Sequence, residues 1–368
     1  MAEMKDDGRL WSLDALRGLD MLLITGLSAL IMSIVGGVCG HWDSWMVKTL
    51  NHAKWEGFNL MDTVFPLFMF ISGIAFPYSY AKRVARGDTR GQILWKILWR
   101  TLALVGLGIV YNGFFTTVFA KGFAACRYPS VLARIGLAWG GATLFYVLFK
   151  WRTRLVLAAG ILIGYWALLA FVPAPGAAPG ADTFSLGGCF ACWLDTKIFG
   201  WPDPEGVLST LPAIVTTMGG VFVGELVRSD RFSGGRKTLL MLGAAVVSGL
   251  LAWGWSPFCP VVKKLWTSTF VLAAWSYSLA CFAVFYWVID VLRLRKWTVI
   301  LRVIGVNSIL IYFLRILVDF HKPANFFFHA LAERIGGPWT AVVDNVAYIL
   351  IVWIVMFFLY RKKVFWRV

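Results

Sequence analysis

Apolar stretches long enough to cross a lipid bilayer recur along the whole chain, and they constrain its fold more than any other feature. A helix needs about 20 consecutive, mainly apolar residues to cross the hydrocarbon core. Hydrophobic residues make up 59% of the 368 residues and charged residues only 15%, whereas soluble domains carry about 25% charged residues. The pattern predicts an all-α polytopic bundle of transmembrane helices.

Ten spans are expected. They are 13–37, 57–80, 92–112, 129–149, 154–172, 206–227, 238–255, 268–290, 298–318 and 341–360. The longest stretch between them, 173–205, is too short for a soluble domain, so residues 1–368 are interpreted as a single transmembrane domain. The first apolar stretch lacks a small-residue cleavage site, and we interpret it as a retained span rather than a signal peptide.

The basic residues predict how the bundle is oriented. Most of the 35 Lys and Arg residues lie before the first span, in alternate loops and after the last span. Cytoplasmic loops of membrane proteins carry such an excess of Lys and Arg. Both termini are therefore predicted to be cytoplasmic, and the net charge of +16 needs no nucleic-acid partner.

Cys189 and Cys192 form a CxxC pair in a loop that this orientation places outside. An oxidising compartment permits a disulfide there, and two inert thiols are the alternative. A lone CxxC does not complete a tetrahedral zinc site, so no metal is expected.

Charged residues inside apolar spans are costly, so each is a candidate for a functional site or a structural pair. Asp14 and Arg17 lie three residues apart on one face of the first span, where a local ion pair is expected. Arg17 is alternatively a ligand for phosphate, because its planar guanidinium matches phosphate oxygens. Asp20 lies one turn deeper, and we predict that it pairs with Arg100 of the third span.

The segment 41–57 precedes the second span, and its Trp residues predict a helix that lies in the outer membrane interface, with Trp55 on its apolar stripe. His52 falls at the outer mouth. Asp62 follows inside the second span, and Arg134 lies at similar depth in the fourth. Either Asp62 and Arg134 form a structural bridge, or Asp62 orients His52 for chemistry.

Histidine takes up and releases a proton near neutral pH, and it can also carry an acyl group. His52 is therefore a candidate catalytic residue. Its alternative interpretation is an interfacial residue without a chemical role.

Five sequence blocks point to a known family. They are SLDALRGLDM (12–21), NHAKWEGFNLMDTVFPLFMFISGIAFPYS (51–79), LARIGLAW (132–139), TLPAIVTTMGGVFVGEL (210–226) and LRVIGVNSILIYFL (301–314). In this order they resemble the heparan-alpha-glucosaminide N-acetyltransferase family, whose bacterial members are multi-pass membrane proteins. The second block is specific to that family, whereas the DxxRG of the first is shared with a wider group of membrane acyltransferases.

The resemblance implies that acetyl-CoA is taken up from the cytoplasm and that its acetyl group is delivered to a saccharide amine outside a bacterial inner membrane. His52 matches the family's proposed active-site histidine, and Asp62 matches the aspartate of the following span. Arg134 and Asn307 match recurrent polar positions within the spans. The large luminal domain of the animal enzyme is not expected here, which leaves the acceptor open. The resemblance also suggests a homodimer.

The phosphates of CoA do not cross a bilayer, so the nucleotide is expected to dock on cytoplasmic basic residues while the thioester arm reaches toward His52. The candidates for docking are Arg17, Lys82, Arg83 and Arg302. Asn307 is expected either to donate a hydrogen bond to the thioester carbonyl or a pantetheine amide, or to form an interhelical polar contact.

Three further residues are expected to orient the substrate or support the structure. They are Asp14, Trp55 and Arg134. The partners expected are acetyl-CoA, a saccharide acceptor and the surrounding lipid. Two alternative functions remain open, namely O-acylation of an envelope or lipid-linked polysaccharide and non-enzymatic saccharide transport.

Overall fold

The computed structural model describes residues 10–122 and 126–366. Its helices are α1 (Trp11–Val38), α2 (Trp45–Thr49), α3 (Leu60–Ala85), α4 (Arg90–Tyr111), α5 (Phe114–Lys121), α6 (Val131–Leu148), α7 (Trp151–Phe171), α8 (Phe190–Phe199), α9 (Thr210–Arg228), α10 (Gly234–Trp255), α11 (Ser268–Val291), α12 (Lys296–Gly305), α13 (Ser308–Leu317), α14 (His321–Ile335) and α15 (Trp339–Arg361). Across these two segments only isolated β-bridges accompany the helices, which confirms the predicted all-α fold.

Nine helices within the described ranges are long and apolar enough to cross a membrane. The helices α12 and α13 form a further, broken span that bends by 57°. Counting this pair as one span gives ten, in agreement with the sequence-based prediction. The end of the bundle that carries Trp11 and Arg361 is called here the terminal end, and the opposite end is called the His52 end. The cytoplasmic location of the termini stays a prediction.

Helices α3 and α9 form the centre of the bundle. In each of them 67% of the residues in the apolar 18-residue stretch of the helix are buried, against 22% in the peripheral helix α4. Glycines allow this central contact, because a Cβ atom at Gly220 would overlap the carbonyl oxygen of Phe70 and one at Gly73 would overlap that of Thr217. Small residues of this kind let the backbones of membrane helices touch.

A second close contact joins α1 to the broken span. A Cβ atom at Gly18 would overlap the carbonyl oxygen of Leu301, and one at Gly305 would overlap that of Asp14. The glycine that follows Arg17 in the sequence is thus required by packing. This contact fixes α12 against the first span near the terminal end.

Replacement of Gly220 by Ala is expected to lower the free energy of unfolding in detergent by about 1–3 kcal/mol, because overpacked cores lose that much when side chains and backbone shift. Gly243→Ala is the matched control, since a Cβ atom there would meet no atom within 4 Å. Thermal unfolding followed by intrinsic fluorescence measures both variants. A Gly220→Ala protein as stable as Gly243→Ala would contradict the close α3–α9 contact.

Candidate functional site

The segment before α3 is a loop rather than the predicted interfacial helix. Helix α2 ends at Thr49, and the chain then runs to Asn59 without regular structure. The prediction of a helix over 41–57 is therefore wrong outside Trp45–Thr49. The physical reason lies in side-chain hydrogen bonds to the backbone, because the Asn59 amide donates to the carbonyl of Asn51 over 2.8 Å and Asp62 accepts from two backbone N–H groups of the loop.

Asp62 lies in the first turn of α3, and its side chain is fully buried. Its Oδ2 accepts hydrogen bonds from the backbone N–H groups of Ala53 and Asn59, each over 3.1 Å. The second of these contacts caps α3, where the first N–H groups lack partners within the helix. The same carboxylate therefore starts the helix and holds the loop that carries His52.

The imidazole of His52 lies against the other carboxylate oxygen. Its Nδ1 is 2.8 Å from Asp62 Oδ1, and 59% of the His52 side chain is exposed. The predicted alternative in which Asp62 orients His52 agrees with this geometry. Because Nδ1 faces the carboxylate, Nε2 is the ring nitrogen left to a substrate.

Lys263 completes the cluster, although it was not among the site residues predicted from the sequence. Its Nζ lies 3.1 Å from His52 Nδ1 and 3.3 Å from Asp62 Oδ1. Burial lowers the pKa of Lys263, while the negative charge of Asp62 opposes this shift. A signal was present in the sequence, since Lys263 and Lys264 stand together on the predicted outer side, where basic residues are scarce.

Backbone contacts fix the loop that carries Lys263. The N–H of Gly57 donates to the carbonyl of Val261 over 2.9 Å, and Glu56 forms an isolated bridge with Val262. The loop of Lys263 is thereby attached directly to the loop of His52. The positions of the two side chains depend on each other.

A cavity of about 400 Å³ opens beside this cluster. His52, Lys263 and Glu205 line its polar part, and its walls are otherwise mainly apolar side chains of α1, α3, α6 and α13. It extends to Met21 of α1 and Ser308 of α13. The cavity thus extends from the His52 cluster to the neighbourhood of the break between α12 and α13.

Trp55 borders the cavity as part of the same loop. Its indole N–H donates to the carbonyl of Phe184 over 3.0 Å. The Lys264 ammonium lies 5.5 Å from the centroid of the Trp55 ring, within the range of a cation–π contact. Adjacent lysines therefore have different partners, since Lys263 contacts His52 and Lys264 contacts Trp55.

The predicted Asp62–Arg134 bridge is wrong. Arg134 is buried, and its Nη2 donates to the carbonyl of Gly206 over 3.1 Å and to the hydroxyl of Ser209. Its other two guanidinium nitrogens have no hydrogen-bond partner within the described residues. Arg134 faces the loop before α9, and Lys263 stands beside Asp62 instead.

The predicted Asp20–Arg100 pair is wrong as well. Both carboxylate oxygens of Asp20 are buried without a hydrogen-bond partner in the described part of the chain. The Arg100 guanidinium lies over the ring of Trp139, 4.3 Å from its centroid. The local pair of Asp14 with Arg17 is confirmed, with 3.7 Å between Oδ1 and Nη1.

The other candidates for nucleotide docking differ in how accessible they are at the terminal end. Lys82 and Arg83 belong to the last turn of α3, where Arg83 lies 3.5 Å from Asp88. Arg302 is only 4% exposed, and its guanidinium lies 3.5 Å from the centroid of the Trp11 ring. Arg83 is thus more accessible than Arg302.

Asn307 stands at the break between α12 and α13, and its side chain binds the C-terminal segment of the chain. Its Nδ2 donates to the carbonyl of Val364 over 2.8 Å, and its Oδ1 accepts from the backbone N–H of Trp366 over 3.1 Å. An asparagine that pairs both groups of its amide with a peptide backbone recognises an amide. The predicted polar contact exists, but it joins the break to residues 364–366 rather than to another span.

A second cavity of about 660 Å³ lies beside this segment. Arg83, Lys96 and Arg100 line it together with Trp366. The Trp366 ring packs edge-on against Phe313 of α13, with 5.1 Å between the ring centroids. The C-terminal segment therefore lies between a basic cavity and the helix that borders the His52 cavity.

Cys189 and Cys192 are both buried free thiols at the start of α8. Of the two alternatives left open by the sequence, the structure has the reduced pair.

Fold and site together define a multi-pass helical membrane protein in which a His–Asp–Lys cluster faces a largely apolar cavity. The chain is 26% identical to the heparan-alpha-glucosaminide N-acetyltransferase of Homo sapiens over 98% of its own length and 60% of that protein. It is 27% identical to the Mus musculus protein of the same name, over its full length and 62% of that relative. These alignments confirm the resemblance that the sequence blocks indicated.

The chain spans about 60% of the length of these curated relatives. No family model matches it.

Replacement of Asp62 by Asn is expected to lower the free energy of unfolding by about 1–3 kcal/mol, even without substrate, because a partly buried lysine loses its counter-charge and an amide has one acceptor oxygen for donors that now share two. Asp43→Asn is the control, since that carboxylate is exposed and lies 3.7 Å from Lys48. Chemical denaturation in detergent measures both variants. Equal stability of the two variants would contradict the structural role of Asp62.

Proposed function

We propose that this chain is a transmembrane acetyltransferase that moves the acetyl group of acetyl-CoA to the amino group of a saccharide. In this proposal the terminal end faces the cytoplasm of a bacterium, and the His52 end faces outward across the inner membrane. The names of the two relatives support the reaction class. The observation that carries the proposal is the 2.8 Å contact of His52 Nδ1 with a buried carboxylate at the edge of a membrane cavity.

The proposed chemistry uses the cavity-facing nitrogen of His52. When Nδ1 donates its hydrogen to Asp62, Nε2 keeps a lone pair and acts as a base. The amine nitrogen of the acceptor attacks the thioester carbonyl, Nε2 takes the amine proton, and the C–S bond breaks. The proton then passes to the departing thiolate, so that N-acetyl product and free CoA result. A route in which Nε2 itself carries the acetyl group uses the same nitrogen.

The shape and polarity of the cavity suit the arm of the donor. Walls that are mainly apolar accept a thin thioester arm, whereas the phosphates of the nucleotide require cations. Arg83, Lys96 and Arg100 line the second cavity near the terminal end. We therefore favour Arg83 among the predicted docking residues, with Arg17 and Lys82 as further cations at that end and Arg302 shielded by Trp11.

We further propose that the donor arm displaces the C-terminal segment from Asn307. Pantetheine contains secondary amides, and Asn307 already binds the carbonyl of one peptide unit and the N–H of another. Trp366 stands between Phe313 and the basic cavity. Movement of residues 364–366 would join the basic cavity to the space beside Ser308, where the His52 cavity ends.

His52→Ala is expected to lower acetyl transfer at least about a thousandfold, since general-base catalysis contributes about 10²–10⁴-fold and this residue also contacts the acceptor in the proposal. The assay follows transfer from labelled acetyl-CoA to amino sugars in proteoliposomes, with hydroxyl sugars as a parallel panel. His41→Ala is the control, because His41 is exposed outside the cavity. Unchanged turnover in His52→Ala, with CoA binding intact, would remove His52 from the mechanism.

Trp366→Ala is expected to tighten binding of CoA about tenfold, because the donor no longer competes with a packed indole for the space beside Asn307. Phe365→Ala is the matched control, since the Phe365 ring packs on Tyr360 instead. Isothermal titration of the detergent-solubilised proteins with CoA gives both dissociation constants. Equal affinity in the two variants would show that Trp366 does not compete with the donor.

A further inference from the structure

We propose that Lys263 is a positioning residue for His52 and that its charge decides which ring nitrogen of His52 carries the proton. The inference rests on the proposed function, because the choice of nitrogen matters only if His52 acts as base or acyl carrier. It assigns a role to a residue that is 211 positions away from His52 in the sequence.

The three polar groups form a tight triangle. His52 Nδ1 lies 2.8 Å from Asp62 Oδ1. Lys263 Nζ lies 3.1 Å from His52 Nδ1 and 3.3 Å from Asp62 Oδ1. Asp62 Oδ2 accepts from two backbone N–H groups, so His52 and Lys263 share the remaining oxygen, Oδ1. Nδ1 lies within hydrogen-bond distance of both the Asp62 carboxylate and the Lys263 amine. It either carries the ring proton and donates it to Asp62, or carries no proton and accepts a hydrogen bond from Lys263.

The charge of Lys263 sets the outcome. A charged Lys263 has only hydrogens to offer, so it donates to Nδ1 and to Asp62, and the single ring proton of neutral His52 stays on Nε2. A neutral Lys263 has no need to donate to Nδ1, so Nδ1 carries the ring proton and donates it to Asp62. The change releases one proton from Lys263 to solvent and leaves one proton on the ring. Only the second state presents a lone pair to the cavity.

The groups around Lys263 allow this change of charge. His52 faces it from the loop before α3, Asp62 from α3, Glu205 from the loop before α9, and Lys264 from its own loop. Burial is the largest influence on the pKa of Lys263 and lowers it, whereas Asp62 and Glu205 raise it. Only 23% of the side chain is exposed.

A matched set of variants separates this role from a structural one. Arginine stays charged at any accessible pH, and methionine carries no charge. The positioning role predicts that Lys263→Met loses the rise of kcat with pH and retains a higher kcat than Lys263→Arg at every pH. It predicts that Lys263→Arg lowers kcat at least about tenfold at every pH, with the KM for acetyl-CoA within about twofold. A structural ion pair with Asp62 predicts the reverse, namely rescue by Arg and loss with Met, and that result would overturn the proposal.

Lys264→Met is the control, since Lys264 packs on Trp55 and is expected to leave the pH profile of kcat unchanged. A shift of the profile in this variant equal to that in Lys263→Met would also overturn the proposal, because any nearby positive charge would then suffice.

A readout independent of activity keeps this inference separate from the proposed function. Nitrogen-15 NMR of histidine-labelled full-length protein reports which ring nitrogen is protonated, and the chain has only four His residues. The signal of His52, assigned by its loss in His52→Ala, is expected to show the Nε2–H form in Lys263→Arg and the Nδ1–H form in Lys263→Met. The same form in both variants would overturn the proposal, even if acetyl transfer occurs. The expected forms without any acetyl transfer by the wild type would instead overturn the proposed function alone.

Discussion

The buried carboxylate of Asp62 is the interaction on which the site depends. A charge out of contact with water needs several hydrogen-bond donors to be tolerated, and Asp62 has two backbone N–H groups, an imidazole and an ammonium around it. Asp62 caps α3 through the N–H of Asn59 and also binds the N–H of Ala53 in the loop of His52. The start of a central helix and the orientation of the imidazole therefore depend on the same carboxylate.

The spans were predictable because a helix that crosses the membrane needs one uninterrupted apolar stretch, which is visible locally in the sequence. The break at Asn307 was not, since the apolar run 298–318 continues across it and the partner of Asn307 is the backbone of residues 364–366. The prediction of a helix over 41–57 was wrong for a similar reason. The tryptophans of this segment favoured a helix, but the hydrogen bonds to Asp62 and Asn59 that shape the loop come from residues beyond it.

The site was predictable to the extent that it is local. His52 and Asp62 are ten residues apart, and the family resemblance selected both. Depth in the membrane was a poor guide to pairing, because residues at one depth can face different directions, as Arg134 does by facing Gly206 and Ser209. Lys263 comes from the far side of the sequence, and only the folded chain brings it to His52.

The binding of Val364 and Trp366 to Asn307 has a practical consequence for work with this protein. Because both residues are hydrogen-bonded to Asn307 at the break between α12 and α13, an affinity tag or fluorescent fusion placed after them is attached to a part of the bundle itself. Such an appendage would pull on a segment that is seated inside the bundle. Ligand affinities from C-terminally and N-terminally tagged preparations should therefore not be treated as interchangeable.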